Sequence, residues 1–269
     1  MISYNQLSIV ICTNKTEKYY KDKVQTFYDR AGCPVHVFIC NNSNNVPLTQ
    51  VYQQMLTNKE INRNIILFMH DDVDILTVNF GRKILDLFKN NSEYGIIGVA
   101  GSKQFDENAM WWTYDKKYGQ VIHYKEDERR SWLTSFSEDL DGKIEDVLVV
   151  DGLFFAVDPT KLKSGFNVKL PDFDFYDVTF CIDNVIDGVK VGVTSDIRVC
   201  HHSMGNMRKT WYQNREILNH LLYGKYYPID LDEGIKEKNE DVEEYLKIRY
   251  EIIRKNNERS KEKGNKKGD

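Results

Sequence analysis

Four apolar, β-branched runs recur between residues 7 and 101, and helical stretches separate them. "LSIVIC" ends in "TN", and "TEKYYKDKVQTFYDRAG" follows with Gly32 as a helix C-cap. "PVHVFIC" ends in the polar loop "NNSNN", and "PLTQVYQQMLTN" reads as a helix. "NIILFMH" precedes the helix "NFGRKILDLFKNN", and "YGIIGVAG" is the fourth run. This β-α-β-α-β-α-β order predicts an α/β fold with a mainly parallel sheet and helices on both faces. In open sheets of this kind, ligands sit beyond the carboxyl ends of the strands. Those ends here carry "CTN", "NNS" and "HDDV".

The second half is less regular. "QFDENAMWWTYDKKYGQVIHYKEDERRSWLTSF" is a polar, aromatic excursion that predicts a hairpin around Gly119. "EDVLVVDGLFFAVDPTKL" predicts two short strands around Gly152, and "DFDFYDVTFCIDNVIDG" a helix behind an acidic loop. "VKVGVTSDIRVCHHS" predicts two more strands, the second ending in His201-His202. From about Leu231 the composition shifts to Lys, Glu, Asn and Arg. Val242, Tyr245, Leu246 and Ile253 give a helical spacing, and "ERSKEKGNKKGD" predicts disorder. The expected division is one domain over 1–230 and a charged helical extension over 231–269. Docking on the domain, dimerisation and contact with an anionic membrane all stay open for that helix.

Composition sets outer limits. The net charge of −4 over 269 residues argues against a nucleic-acid binder. No apolar stretch reaches the roughly 18 residues of a membrane helix. The N-terminal run lacks a basic region ahead of it, so it reads as a core strand and not a signal peptide. The five cysteines form no CxxC pair, and they read as buried thiols of a cytoplasmic protein.

The carboxylates at the end of the third run need an explanation, because adjacent like charges repel. A solvated loop is one account of "HDDV". Helix capping by Asp71 or Asp74 is a second, and a divalent-metal site gripping phosphates is a third.

With these segments in order, the sequence resembles glycosyltransferases of the GT-A fold, in a bacterial group akin to the large inverting family 2. The likeness rests on "SIVICTN", "FICNNSNNVPLTQVYQQ", "ILFMHDDVDI", "GIIGVAGSKQFDENAMWW", "VVDGLFFAV", "FDFYDVTFCIDNVIDGVKVGV" and "VCHHSMG", roughly Leu7 to Trp211. The resemblance implies a GT-A nucleotide-binding fold whose central, mainly parallel mixed sheet is flanked by helices. The donor half would span about 1–105 and the acceptor half about 106–230. It implies sugar transfer from a nucleotide-sugar, commonly a UDP-sugar, to a glycan or lipid-linked acceptor. The cofactor would be Mn2+ or Mg2+, and the location the cytoplasm, including the inner membrane face.

Residue by residue, the resemblance implies Asp72 as metal ligand, with Asp74 second in line. A late-strand histidine would join it, His201 ahead of His202. Thr13, Asn14, Asn41, Asn42, Tyr52, Gln53 and Asp71 would surround the nucleotide. Asp177 would be the general base, kept ionised by its helix N-terminus, with Asp172, Asp174 and Asp151 as competitors. Asp151 and Gly152 would line a sugar. Trp111 and Trp112 cannot both face inward on one strand, so they are candidates for sugar stacking. A nucleotide-sugar hydrolase, a nucleotidyltransferase and an inactive carbohydrate-binding or scaffolding module are the alternatives. The glycine-free "CTNKTEKYY" argues against the nucleotidyltransferase.

Overall fold

The computed structural model describes residues 2–43, 45–203, 205, 207–222 and 229–234. The helix expected over about 232–256 lies outside these residues apart from its first three positions, which form a turn and a bridge. The chain runs β1 (Ser3–Thr13), α1 (Glu17–Arg30), β2 (Val35–Asn41), α2 (Leu48–Leu56), β3 (Asn64–His70), β4 (Val73–Ile75), α3 (Phe80–Asn90), β5 (Tyr94–Gly98), β6 (Ala100–Ser102) and β7 (Gln104–Phe105). A 3-10 turn at Trp111–Thr113 leads to β8 (Lys117–Lys125), β9 (Arg130–Ser135), β10 (Ile144–Asp146), β11 (Val149–Val150) and β12 (Phe154–Val157). The remainder is α4 (Tyr176–Ile186), β13 (Lys190–Thr194), β14 (Val199–His201), α5 (Lys209–Leu222) and β15 (Ile229–Asp230).

Seven strands form the central sheet in the order β10-β13-β5-β12-β3-β1-β2. It is mixed. β1 pairs in parallel with β2 and β3, as β5 does with β13, whereas β12 runs antiparallel to both β3 and β5, and β10 to β13. Five of the seven strands run the same way and only β12 and β10 are reversed, so the sheet is mainly parallel and mixed, as expected. β12 enters from the second half of the chain and wedges antiparallel between β3 and β5. Strands β3, β5 and β12 are buried almost throughout, which is why they read as unbroken apolar runs. Helices flank the sheet. Tyr52 of α2 packs on Phe68 of β3 and on Tyr176 of α4, and Phe27 of α1 meets Phe80 of α3 edge-on.

A second sheet runs β11-β6-β8-β14-β4, with β9 paired to β8. The chain repeatedly steps between the two sheets. The fourth run of the sequence is two strands, because the backbone leaves the central sheet after Gly98 and enters the second at Ala100. The expected hairpin exists as β8–β9, but its turn lies at Glu126–Arg129. Gly119 sits inside β8 at φ +100°, where a Cβ would fall 2.1 Å from the Val99 carbonyl oxygen. Only glycine lets β8 cross this close to the step between sheets.

Gly119→Ala is expected to lower stability by about 2–4 kcal/mol, since it combines left-handed strain with a backbone clash. Gly188, at φ +83° with nothing within 4 Å of an added Cβ, is its control. Gly188→Ala should cost only the conformational strain of roughly 1–2 kcal/mol. Thermal unfolding of both variants measures the difference.

Candidate active site

β3 ends at His70, and the chain turns through Asp71 and Asp72 into β4. β4 pairs antiparallel with β14, Val73 opposite His201, and the His202 N–H donates to the Asp72 carbonyl at 2.9 Å. This pairing brings two histidines onto one carboxylate. The Asp72 Oδ1 lies 3.3 Å from His201 Nε2 and 3.9 Å from His70 Nδ1. Ligand atoms of His70, Asp72 and His201 all fall within 4.8 Å of one another. His70 Nε2 lies 2.8 Å from the Tyr176 hydroxyl. In the tautomer whose Nε2–H donates to Tyr176, the Nδ1 lone pair is free to face Asp72.

The electrostatics suit a cation. Burial and the neighbouring His201 hold the His70 pKa below its usual value, which keeps that imidazole neutral. Burial pushes the Asp72 carboxyl upward. The His201 hydrogen bond and the His201 and His70 charges outweigh it, so Asp72 stays well below the usual carboxylate range. Two imidazole nitrogens and one carboxylate oxygen fit a borderline divalent ion such as Mn2+ better than Mg2+, which prefers all-oxygen shells. His70 was missed by the sequence reading. It was legible only as the polar end of a buried strand.

His202 does not join this cluster. Its Nε2 sits 2.7 Å from Asp74 Oδ2. Asp74 lies in a strand, and Asp71 precedes one, so neither caps a helix. Asp71 accepts a hydrogen bond from the Thr13 hydroxyl at 2.5 Å. Lys23 of α1 reaches the Asp71 carbonyl at 2.5 Å and Asp74 at 3.3 Å, a tether that the sequence did not announce.

Beside the cluster opens a cleft of 430 Å³, whose walls include Thr13, Asn14, Asn42, Tyr52, Asp71, Asp174 and Arg208. Asn42 is buried and spans its own loop, donating to the Val46 carbonyl and accepting from the Val46 N–H, both at 2.8 Å. Asn41 is turned to its own loop, accepting the Ser43 N–H. Tyr52 is 1% exposed and belongs to the core beneath the cleft floor. Gln53 accepts the Phe166 N–H at 2.8 Å and is absent from the cleft wall. Arg208 is a cation on this wall that the sequence reading did not single out.

Asp177 opens α4, and its Oδ2 accepts the Gly152 N–H at 2.6 Å while Oδ1 accepts its neighbour Val178 N–H. A Cβ on residue 152 would fall 2.2 Å from the Tyr176 hydroxyl oxygen, so this glycine is needed to admit Tyr176 and Asp177. Burial, and then the Asp151 charge, push the Asp177 carboxyl up to about 7. The expectation that the helix N-terminus would hold it low is overturned. Asp172 and Asp174 are both reached by the Asn214 amide, at 3.3 and 2.8 Å. Trp111 is 3% exposed and packs on Phe136 at 5.0 Å, as core and not as a sugar platform. Trp112, set at 89° to it, is 37% exposed.

Residues 8–222 match the family described as "Glycosyltransferase like family". The chain belongs to this glycosyltransferase-like family. The solved structure described as "Crystal structure of GalNAc-T7 with UDP, GalNAc and Mn2+" is similar at 10% identity and a TM-score of 0.48, covering 82% of this chain and 48% of that one. This glycosyltransferase-like chain thus spans about half the length of that structure. The "Structure of the inositol-1-phosphate CTP transferase from T. maritima" is similar at 14% identity and a TM-score of 0.33, covering 80% and 77%. At such values neither likeness assigns a ligand. No curated protein matches the chain.

Titration with Mn2+, followed by the loss of free-ion electron paramagnetic resonance, should show binding to the wild-type chain. His70→Ala and Asp72→Asn should each weaken it by roughly tenfold or more, because each removes one of three ligands. His202→Ala should leave it within about twofold, since that ring serves Asp74. Binding should fall on acidification, because protons compete with the ion for the ligand atoms.

Proposed function

We propose that this protein is a metal-dependent glycosyltransferase that moves a sugar, a hexose or similar, from a UDP-sugar to a hydroxyl of a glycan or lipid-linked acceptor, with inversion. The observation that carries the reading is the His70–Asp72–His201 cluster, where β3 passes to β4, joined by the 2.8 Å contact of His70 with Tyr176 to the start of α4, where Asp177 accepts the Gly152 N–H. Family membership supplies the reaction class.

In this reading His70, Asp72 and His201 hold a divalent cation, Mn2+ by its ligand chemistry, which neutralises charge developing on the departing diphosphate. Thr13, Asn14, Asn42 and Asp71 line the nucleoside end of the cleft, and Arg208 faces its anionic part. The donor half, about 1–105, supplies most of that wall, and the acceptor half, about 106–230, supplies Asp151 and Asp177. Asp177 takes the acceptor proton on a carboxylate lone pair not used by Gly152 or Val178. Its Gly152 bond keeps the carboxyl from rotating away. A base with a pKa near neutrality is ionised enough to accept a proton and basic enough to hold it. No helix among the described residues is long and apolar enough to cross a membrane. The reaction is proposed to run in the cytoplasm, with residues 231–269 docking on the domain, and contact with a membrane or a second copy as the alternatives.

A panel of nucleotide sugars incubated with Mn2+ tests the reading through release of nucleotide and labelling of acceptors. Release that never requires an acceptor, with water as sole sugar acceptor, would convert the reading to a hydrolase. Asp177→Asn should cut turnover by roughly a hundredfold to ten-thousandfold while donor binding persists. The wild-type rate should fall as pH drops through about 7, because protonation removes the base, and that limb should vanish in the variant. The new anomeric centre should show the opposite configuration to the donor by proton coupling, and a retained configuration would defeat the single-displacement mechanism.

A further inference from the structure

The hairpin β8–β9 extends the metal cluster outward along a single face of the second sheet. In register, His201 lies beside His123, and His123 lies opposite Trp132. The three side chains form a cross-strand row. The His123 and His201 rings are 5.8 Å apart, and the His123 and Trp132 rings 5.6 Å apart with planes 22° from parallel. His123 Nδ1 is 3.2 Å from the Ser203 carbonyl, which fixes the ring in the row. Two residues further on, strand alternation returns to the same face, where Lys125 stands opposite Arg130. Lys125, Arg130, Trp132 and Glu128 line a cavity of 350 Å³. Lys125 Nζ is held by Glu128 at 2.5 Å. Arg130 makes no ion pair among the described residues. None of these four side chains has a part in the chemistry described above.

We propose that this cavity is an acceptor subsite for a sugar bearing an anionic group, a carboxylate or a phosphate. The indole of Trp132 takes the apolar C–H face of the sugar ring, and the guanidinium of Arg130 takes the anion in a two-pronged contact. Lys125 is taken up by Glu128 and, at 3.7 Å, by Asp127, which is not in the cavity wall, so Arg130 is the cation of the lining left for an anion. Because the row leads from His201 through His123 to Trp132, the subsite takes a sugar removed from the reacting hydroxyl. This inference rests on the glycosyltransferase reading for its direction, but its test does not depend on turnover.

The indole N–H resonance of Trp132, assigned by its loss in Trp132→Phe, is followed in the full chain during titration with methyl β-glucuronoside, glucose 1-phosphate and methyl β-glucoside. At least one anionic probe should shift it with an affinity roughly tenfold or more above the neutral glucoside, as a charge-assisted contact allows. The probe that does so names the anion. Arg130→Gln should erase the advantage while leaving the resonance in place. Absence of a shift with both anionic probes, equality with the glucoside, or an advantage that survives Arg130→Gln would each overturn the subsite. UDP binding with Mn2+ in the same sample separates the two ideas. Retained nucleotide binding with a silent Trp132 removes the subsite alone, whereas absent nucleotide binding removes the proposed donor.

Discussion

The pairing of β4 with β14 is the constraint on which the candidate site depends. Three residues of β4 are enough to set Val73 opposite His201, and the His202 N–H to Asp72 carbonyl bond closes the end of that ladder. His70 is fixed independently, by β3 in the middle of the buried central sheet. The metal cluster is therefore assembled where one sheet hands the chain to the other. Short strands cost little to misalign, but here a one-residue slip would turn His201 to the opposite face. The buried, apolar Val73 and Val199 on the inner face of this pair oppose such a slip.

The acidic turn after β3 also has to be stable before any ion arrives. Asp71, Asp72 and Asp74 lie within four positions, and each is given a partner of a different kind. Asp71 receives the Thr13 hydroxyl, Asp72 faces two imidazoles, and Asp74 meets His202 and Lys23. Lys23 matters beyond its single charge. Its side chain is 12% exposed, and it ties the turn to α1 through both a carbonyl and a carboxylate. The partly buried position makes these contacts stronger than a surface pair of the same length.

The α/β alternation of residues 7–101 was legible because β1, β3 and β5 are largely buried, the edge strand β2 keeps an apolar β-branched run, and each ends in polar or turn residues. The position of the reversed strand was not. β12 is a short apolar run like the others, and nothing in its residues says that it runs antiparallel between β3 and β5. The step between sheets at Gly98–Ala100 was equally silent, since β-branched composition does not encode which sheet a strand joins. Asp72, His201 and Asp177 could be placed because polar groups at strand and helix ends form a short list. His70 and Lys23 could not, because their roles arise from neighbours distant in sequence. Trp111 and Trp112 show the limit of pattern reasoning. Their alternation was read on a strand, whereas a 3-10 turn sends one ring into the core and the other outward.

Asp72 and Asp177 show how one fold drives two carboxylates apart. Both are desolvated, and desolvation alone would raise both. Asp72 gains two imidazoles and falls, whereas Asp177 faces Asp151 and rises to about 7. Asp177 also sits in the first turn of α4, where the helix dipole favours the ionised form by roughly 0.3–1 kcal/mol, and up to about 2 in partly buried sites. A rise from the ordinary 3.8 to about 7 corresponds to roughly 4 kcal/mol in the other direction. The backbone N–H groups of Gly152 and Val178, which also favour the charge, do not close that gap. Burial wins because Tyr176 and the close approach of Gly152 crowd one side of the carboxylate. The same glycine that permits the approach thus sets the basicity. Opposed shifts of this kind separate the two carboxylates by chemistry: the one held low suits a cation, and the one raised towards neutrality suits a proton.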